Sequence, residues 1–311
     1  MQQSLEALGW NEFFAGAFAP YEPQGLRPAR VAVQERGSVV LFTSSGTAQA
    51  RGSAVSGDWV AFDEQRREIR AVLPRQTRFA RKEPWLTEEQ VVAANVDTVF
   101  LITDCGRDFK PRRIERYLTA AWDSGADPVL VLAKSDLAEA LPETVAEAEA
   151  VAFGVPVHAV SSLTGDGLGA LASYLTPGRT VALLGSSGVG KSTLVNRLAG
   201  SELLATGDVR RDGRGRHTTT HRELVRLPGG GLIVDTPGMR ELQLWASETA
   251  LDETFSDVAE LADSCRFSDC AHGTEPGCAV RGALADGTLP AVRWESYRKL
   301  QGELRALALN A

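Results

Sequence analysis

The sequence has few of the features that tie a protein to a membrane. None of its apolar runs approaches the roughly 18 residues that are needed to span a bilayer. Its start, MQQSLEALGW, has neither a basic leader nor a cleavable apolar segment. The 311 residues, 43% hydrophobic and 23% charged, have the composition of a globular protein and the length of two or three domains. We therefore expect a cytoplasmic protein with no membrane partner.

Lysine is also scarce, although arginine is abundant. The net charge of -7 argues against a uniformly basic nucleic-acid binder, because phosphate contacts require concentrated positive charge. The five lysines are Lys82, Lys110, Lys134, Lys191 and Lys299. Arginines cluster at residues 75–82, 112–116 and 210–216, where they form either a solvated surface or local contacts with RNA phosphates.

The four cysteines suggest a metal site more than a disulfide framework, because three of them lie close together in a chain that we expect to be cytosolic. Of the four, Cys105 stands alone, and we expect a small buried side chain there. The others form a Cys-x4-Cys-x-His-x5-Cys segment with one histidine; its members are Cys265, Cys270, His272 and Cys278. Three thiolates and one imidazole are the ligands of a structural site for one zinc ion, with free thiols or a redox pair as the alternatives.

Residues 29–73 alternate apolar and polar side chains, with breaks at Gly or Ser every eight to twelve residues. The segments RVAVQ, SVVLFT, TAQARG, DWVAFD and EIRAVL predict five short strands. Their number and spacing favour a small closed β-barrel of the OB type. Such a barrel either grips single-stranded nucleic acid or RNA, or serves as a packing module without a ligand.

After Asn95, strands alternate with helical stretches as far as the strand GLIVD, which ends at Asp235. This order predicts an α/β domain with a parallel sheet and crossover helices. From about residue 245 the pattern becomes helical around the Cys and His segment, ending in a helix near 291–309. We therefore expect a multidomain chain with an N-terminal barrel region at 1–95, a central α/β domain at 96–245 and a helical zinc-binding domain at 246–311.

A phosphate-binding loop follows the strand RTVALLG and opens a helix, as its mechanism requires. Its residues, with the one that follows, are Gly185, Ser186, Ser187, Gly188, Val189, Gly190, Lys191, Ser192 and Thr193. Glycines let backbone N–H groups face phosphate oxygens, and the helix N-terminus adds partial positive charge. Lys191 is expected to reach the outer phosphates, and Ser192 to ligate magnesium.

Downstream, Asp235-Thr236-Pro237-Gly238 ends a strand. There the aspartate can hold magnesium through water, and the Gly238 N–H can sense the terminal phosphate. A simple polar turn would look similar. The spacing from the phosphate loop favours the functional interpretation.

Two further loops predict that the base is guanine. Ala133-Lys134-Ser135-Asp136 follows a buried strand and resembles the guanine-reading motif Asn-Lys-x-Asp, whose aspartate accepts hydrogen bonds from the base. About twenty-five residues later, a loop beginning Ser161-Ser162-Leu163 resembles the companion loop that supports the base. Alone, the first loop is equally compatible with a solvated turn. Together, the two loops favour guanine.

The order of these motifs indicates a circular permutation. Ordinary GTPases run from the phosphate loop through two switches to the base-reading loops, whereas here the base-reading loops come first. A short connection at 176–179 would join the original ends, since domain termini commonly lie close together. The second switch, beginning at Asp235, then leads directly into the Cys and His segment.

The barrel, the permuted P-loop GTPase domain, the run 213–220 and the Cys and His segment together resemble the RsgA/YjeQ family, GTPases that assist late assembly of the small ribosomal subunit. This resemblance covers nearly the whole chain. It implies ribosomal RNA and ribosomal proteins as partners, with GTP or GDP, magnesium and zinc as cofactors. We expect a monomer that hydrolyses GTP to time its release. A nucleotide-dependent scaffold and a zinc-handling GTPase are the alternative functions.

Position 133 departs from the family pattern, and position 239 departs from the pattern of Ras-like enzymes. The family usually has asparagine or threonine where this chain has Ala133, and one lost hydrogen bond to a neutral partner costs about 1 kcal/mol. We expect weaker guanine affinity with the preference kept by Asp136. Met239 stands where Ras-like enzymes orient water with glutamine, and the family histidine that matches His217 implies a water-positioning role beside Thr218 and Thr219. A solvated loop histidine is the alternative.

Overall fold

The computed structural model describes residues 4–82, 89–202, 223–235 and 247–309. The N-terminal segment packs its aromatic side chains against Trp59. Its helix α1, Glu12–Phe18, begins after Asn11, whose side chain accepts a hydrogen bond from the Phe14 N–H at 3.3 Å. Trp10 meets the ring of Trp59 edge-on with 4.7 Å between ring centroids. The segment thus covers apolar surface that would otherwise face water.

The five predicted strands form a closed barrel. They are β1 (Arg27–Gln34), β2 (Ser38–Thr43), β3 (Gly46–Arg51), β4 (Trp59–Asp63) and β5 (Glu68–Val72). Pairing runs β1-β2-β3-β5-β4, and β4 returns to β1. The alternating apolar side chains point inward, where Val31, Val39, Leu41 and Val60 are buried. Closure removes exposed strand edges, as the OB-type prediction requires.

A hairpin that was not among the predicted strands follows the barrel. It consists of β6 (Arg78–Lys82) and β7 (Glu89–Ala94), paired antiparallel. Phe79 of this hairpin belongs to an apolar cluster that also contains Trp59 of the barrel and Val99 of the next domain. The apolar core is therefore continuous across position 95.

The central sheet has the predicted parallel character. Its strands are β8 (Thr98–Asp104), β9 (Asp127–Ala133), β10 (Val157–Ala159), β11 (Thr180–Gly185), β12 (Glu223–Arg226) and β13 (Leu232–Asp235). Their order is β10-β9-β8-β11-β13-β12, with β12 antiparallel to β13 and the other pairs parallel. The strands β8, β9, β11 and β13 end at one edge, and in open α/β sheets ligands bind at that edge.

Helices cover both faces of this sheet. They are α2 (Pro111–Ser124), α3 (Leu141–Val151), α4 (Leu168–Ala172) and α5 (Lys191–Ala199). Val99 and Leu101 of β8 face one apolar cluster, while Phe100 and Ile102 face the other. Because both faces are buried, β8 and β9 are apolar along nearly their whole length rather than alternating.

The C-terminal region is helical, with α6 (Glu248–Thr254), α7 (Ser256–Asp263), α8 (Ala279–Asp286) and the predicted last helix α9 (Ala291–Leu309). It has an apolar cluster of its own around Phe255, Val258 and Leu300. The helices pack on α2, where Thr119 and Thr254 share a hydrogen bond of 2.9 Å. Among the described residues, no helix combines the length and apolar character that a bilayer crossing demands.

Candidate functional site

The phosphate-binding loop connects the end of β11 to the start of α5, as predicted. Gly185 has φ +156°, and a Cβ there would lie 2.4 Å from the Ile102 carbonyl oxygen, so a side chain would force β8 and β11 apart. Gly190 precedes α5 with φ +114°, a conformation that glycine adopts without strain. The loop therefore turns tightly at the carboxyl edge of the sheet and presents the N-terminus of α5.

Lys191 lies over this loop. Its Nζ donates hydrogen bonds to the carbonyl oxygens of Gly185 at 2.7 Å and Ser186 at 2.6 Å. The ammonium group is thus folded back above the backbone curve, where an anionic ligand would meet it. A lysine at this point supplies a full positive charge beside the partial charge of the helix N-terminus.

The two loops predicted to read the base are brought together at the ends of β9 and β10. Ser161 is buried, and its Oγ donates a 2.5 Å hydrogen bond to Oδ1 of Asp136. The backbone N–H of Ser135 donates to the Val160 carbonyl at 3.1 Å, which joins the loops a second time. Leu163 is 79% exposed at the tip of the second loop. The Asp136 carboxylate, oriented by the Ser161 hydroxyl, and the exposed Leu163 side chain are suited to contact the edge of a planar base.

Lys134 connects the base-reading side to the phosphate-binding side. It has a left-handed φ of 57°, and its Nζ donates to the Gly188 carbonyl at 3.2 Å. Ala133, at the end of β9, is buried and has no polar side-chain atom to contribute. The predicted nucleotide residues of the two sides thus form one continuous region at the sheet edge.

Two aspartates in this region were missed by the sequence analysis. Asp104 ends β8, and its Oδ1 accepts from the N–H groups of Gly106 at 3.0 Å and Asp108 at 2.9 Å. Its Oδ2 lies 3.5 Å from Lys134 Nζ. Asp108 accepts hydrogen bonds from the Ser186 hydroxyl and the Arg113 guanidinium. Only its position could have indicated Asp104 from the sequence. It ends β8, which lies between β9 and β11, and each of those strands leads into a predicted nucleotide motif.

The electrostatics of the loop after β8 favour a charged Asp104 carboxylate and a neutral Cys105 thiol. Burial tends to raise the pKa of Asp104, but the N–H groups of Asp108 and Gly106 and the charge of Lys134 lower it overall. Burial raises the pKa of the Cys105 thiol, and the nearby charges of Asp104 and Asp136 raise it further. Cys105 is half-buried rather than fully buried, and the raised pKa disfavours a reactive thiolate.

The predicted magnesium and switch residues are only partly within the described residues. Ser192 is the second residue of α5. Asp235 is the last residue of β13, which pairs in parallel with β11, so both strands end at the same edge. The catalytic predictions His217, Thr218, Thr219 and Gly238 lie outside the described residues, as do Arg210, Arg211, Arg214 and Arg216.

The Cys and His segment forms a compact cluster of donor atoms. One ligand atom from each of Cys265, Cys270, His272 and Cys278 lies within 4.8 Å of the others. Cys265 Sγ is 3.9 Å from Cys278 Sγ, and His272 Nδ1 is 3.6 and 3.5 Å from these two sulfurs. Around a tetrahedral zinc ion, neighbouring ligand atoms stand about 3.5–3.8 Å apart. The donor set and its spacing fit structural zinc.

The surrounding chain holds the cluster in shape. Glu275 accepts hydrogen bonds from the Ala271 N–H at 3.2 Å and the Gly273 N–H at 2.7 Å, which fixes the turn containing His272. His272 has a left-handed φ of 58°, and its ring meets Trp294 of α9 edge-on at 5.6 Å. The cluster therefore ties the turn between α7 and α8 to the last helix.

Comparison with known proteins agrees with this architecture. Residues 72–245 match the family described as RsgA GTPase. The chain is 50% identical to the small ribosomal subunit biogenesis GTPase RsgA of Opitutus terrae, over 96% of this chain and 89% of that protein. It resembles the crystal structure of YjeQ from Thermotoga maritima, with a TM-score of 0.69, 29% identity and coverage of 90% of this chain and 98% of the other. The structure of YloQ, described as a circularly permuted GTPase, matches with a TM-score of 0.67 over 90% of this chain and 96% of its own; at 24% identity it supports the fold alone.

Proposed function

The chain belongs to the RsgA GTPase family, whose members hydrolyse GTP, and from that premise we propose that it acts in biogenesis of the small ribosomal subunit. The observation that carries this proposal is the 50% identity, over 96% of the chain, to the small ribosomal subunit biogenesis GTPase RsgA of Opitutus terrae. The family assignment is supported independently by the phosphate loop and base-reading loops meeting at one sheet edge. We propose that it acts as a monomer at a late stage of assembly. Hydrolysis of GTP would then time its release from the subunit.

The nucleotide is bound at the carboxyl ends of the parallel strands, with its phosphates in one group of loop residues and its base in another. The phosphate side is residues 185–193, with Lys191 reaching the outer phosphates. The base side is Ala133, Lys134, Ser135 and Asp136 with Ser161, Ser162 and Leu163. The Ser161 hydroxyl orients Asp136 toward the base N1 and exocyclic amine, a pairing that adenine does not offer. Guanine preference therefore rests on Asp136, although Ala133 contributes no hydrogen bond.

Two metals belong to the proposed function. Ser192 and Asp235 would hold magnesium, which neutralises charge on the transferred phosphoryl group when bound. Cys265, Cys270, His272 and Cys278 would hold one structural zinc ion, with all four positions taken by protein. The C-terminal helices form a small cluster, so a fully ligated ion there would stabilise their packing.

Water is positioned by a residue other than glutamine, since Met239 follows Gly238. His217 is our candidate, with Thr218 and Thr219 beside it and the Gly238 N–H at the terminal phosphate. Catalysis of this kind depends on positioning and electrostatic stabilisation rather than covalent chemistry. Lys191 contributes the positive charge at the phosphates.

We propose that three regions, 1–95, 96–245 and 246–311, have separate roles. The barrel and zinc-binding regions grip ribosomal RNA or ribosomal protein, and the central domain senses nucleotide. Support for coupling comes from chain order, because Asp235 leads within a dozen residues into α6, whose preceding Ser247 N–H donates to Asp123 of α2 at 2.8 Å. A change at the second switch can thus reach the C-terminal helices.

Cosedimentation with purified small subunits tests the proposal. The full-length chain is mixed with small subunits in the presence of a GTP analogue, GDP or no nucleotide, and GTP hydrolysis is measured with and without subunits. We expect binding that depends on nucleotide and hydrolysis that rises when subunits are added. Lys191→Ala should abolish hydrolysis. Equal sedimentation in the three states, or hydrolysis unaffected by subunits, contradicts a role in subunit assembly.

A further inference from the structure

The loop after β8 makes contacts that neither nucleotide motif explains. Through Asp108 it holds the side chain of Ser186, the second residue of the phosphate loop. Through Asp104 it lies beside Lys134, which in turn donates to the carbonyl of Gly188, the fourth residue of the same loop. The loop after β8 is therefore connected to the phosphate loop at two residues, to Ser186 directly and to Gly188 through Lys134.

The two aspartates are themselves joined. The Asp108 backbone N–H donates to Asp104 Oδ1 at 2.9 Å, so the Asp104 carboxylate helps to hold the backbone from which the Asp108 side chain projects. Gly106 donates to the same oxygen at 3.0 Å, which closes the loop on itself. Asp104 thus has one oxygen committed to local backbone and the other facing the Lys134 ammonium at 3.5 Å.

Asp108 has a neutralising partner that makes its position compatible with an anionic ligand. A bare carboxylate beside a phosphate-binding loop would repel the nucleotide. Arg113, in the first turn of α2, donates to Asp108 Oδ1, while Ser186 donates to Oδ2. Each oxygen of the Asp108 carboxylate therefore has a donor, and the Arg113 guanidinium, on the oxygen that Ser186 does not contact, balances the negative charge.

We propose that Asp108 is a positioning residue for nucleotide binding, which fixes the phosphate loop through Ser186, while Asp104 does the same for the base side through Lys134. This inference rests on the proposed nucleotide site and deepens it. A glycine-rich loop loses much conformational freedom when it closes around phosphates. Contacts that hold it in shape beforehand reduce that loss and strengthen binding.

The test is a double-mutant cycle on GDP affinity in the presence of magnesium ions, using the full chain. Asp108→Ala and Ser186→Ala should each weaken GDP binding about tenfold, the size expected when a hydrogen bond to a charged group is lost. The double variant should be no weaker than Asp108→Ala alone, because that change already removes the contact with Ser186. Asp108→Asn keeps an oxygen that accepts from Ser186 and should retain affinity to within about threefold of wild type.

Glu149→Gln is the matched control, since Glu149 is exposed on α3 and belongs neither to the loop after β8 nor to the phosphate loop. Its affinity should equal that of wild type. Thermal unfolding of each variant separates positioning from folding: we expect the Asp108→Asn and Ser186→Ala melting temperatures to stay near wild type. If Asp108→Ala folds poorly, the GDP affinities of Asp108→Asn and Ser186→Ala still test the inference. Asp108→Asn should bind GDP more tightly than Ser186→Ala.

Several outcomes overturn the inference. Unchanged GDP affinity in Asp108→Ala, additive losses in the double variant, or tighter binding without the carboxylate would each do so. Failure of the nucleotide site itself is distinguishable. Wild type that does not bind GDP, or Lys191→Ala that binds it equally well, refutes the proposed site, whereas normal wild-type binding with an unaffected Asp108→Ala refutes only the positioning role.

Discussion

Arg293 provides the sharpest stability prediction, because its side chain joins the C-terminal helices to the central domain. Its side chain is 6% exposed. The guanidinium donates to both oxygens of Asp257 at 3.0 and 2.9 Å and to the Thr254 carbonyl at 2.8 Å. It also reaches across to the central domain, to Glu115 Oε1 at 3.5 Å and the Val151 carbonyl at 3.1 Å.

The magnitude follows from what a substitution would leave behind. Arg293→Met keeps most of the apolar volume but leaves the buried Glu115 and the partly buried Asp257 without their cation. Removing one partner of a buried ion pair costs about 3–5 kcal/mol. The contact with the Phe255 ring, 4.2 Å from the guanidinium carbon, is lost as well. Whole-domain stabilities are about 5–15 kcal/mol, so we expect the C-terminal helices to detach or unfold.

Chemical denaturation and limited proteolysis measure this effect. Cleavage within 247–309 should accelerate in Arg293→Met, and the first unfolding transition should shift to lower denaturant. Arg293→Lys should be destabilising but less harmful than Arg293→Met, since an ammonium keeps the positive charge yet cannot make the two-pronged contact with Asp257. Arg298→Met, at an exposed position of the same helix, is the control and should lie within about 0.5 kcal/mol of wild type. If Arg293→Met matches that control, the reasoning from burial is refuted.

The same network predicts a pH dependence. Burial raises the pKa of Glu115 above its ordinary 4.5, and the charge of Arg293 offsets that effect only in part. A carboxyl whose pKa is raised by folding binds its proton more tightly in the folded state, so its contribution to stability falls as the pH rises above 4.5. Glu115→Gln should flatten this part of the stability curve between mildly acid and neutral pH. An unchanged curve would contradict the direction of the shift.

Three further predictions concern ligands. GDP should displace bound GTP while ATP competes poorly, because Asp136 retains the contact that adenine lacks; equal competition by ATP would point to a general NTPase. About one zinc ion should copurify per chain, and Cys270→Ala should lose it and change the protease pattern of the C-terminal helices, since metal binding and local folding are linked; metal-free wild type with the same pattern would exclude the site. His217→Ala should depress single-turnover GTP hydrolysis on saturating small subunits while GTP affinity stays near wild type; normal turnover removes His217 as the water-positioning residue, and lost subunit binding marks it as a docking residue.

Features that depend on local chain order were readable from the sequence. The five barrel strands, the parallel strands and the phosphate loop each have a periodicity or spacing that local sterics and burial impose. The permuted order of the motifs needs no coordinates either, because it is a property of the chain. The ligand types at 265–278 likewise predicted that these four side chains come together, and the structure places their donor atoms within 4.8 Å of one another.

Contacts between residues distant in sequence were decided by the tertiary structure alone. Asp108 and Ser186 are 78 residues apart, and Glu115 and Arg293 are 178 apart. A lone aspartate or arginine carries no periodic signal, so its partner depends on which strands become neighbours and how the helices pack. The hairpin of β6 and β7 is a similar case, because it is stabilised by an apolar cluster shared with the barrel and the central domain. Local pattern selects the elements and their motifs, whereas the positions of buried charges follow from packing that the whole chain makes together.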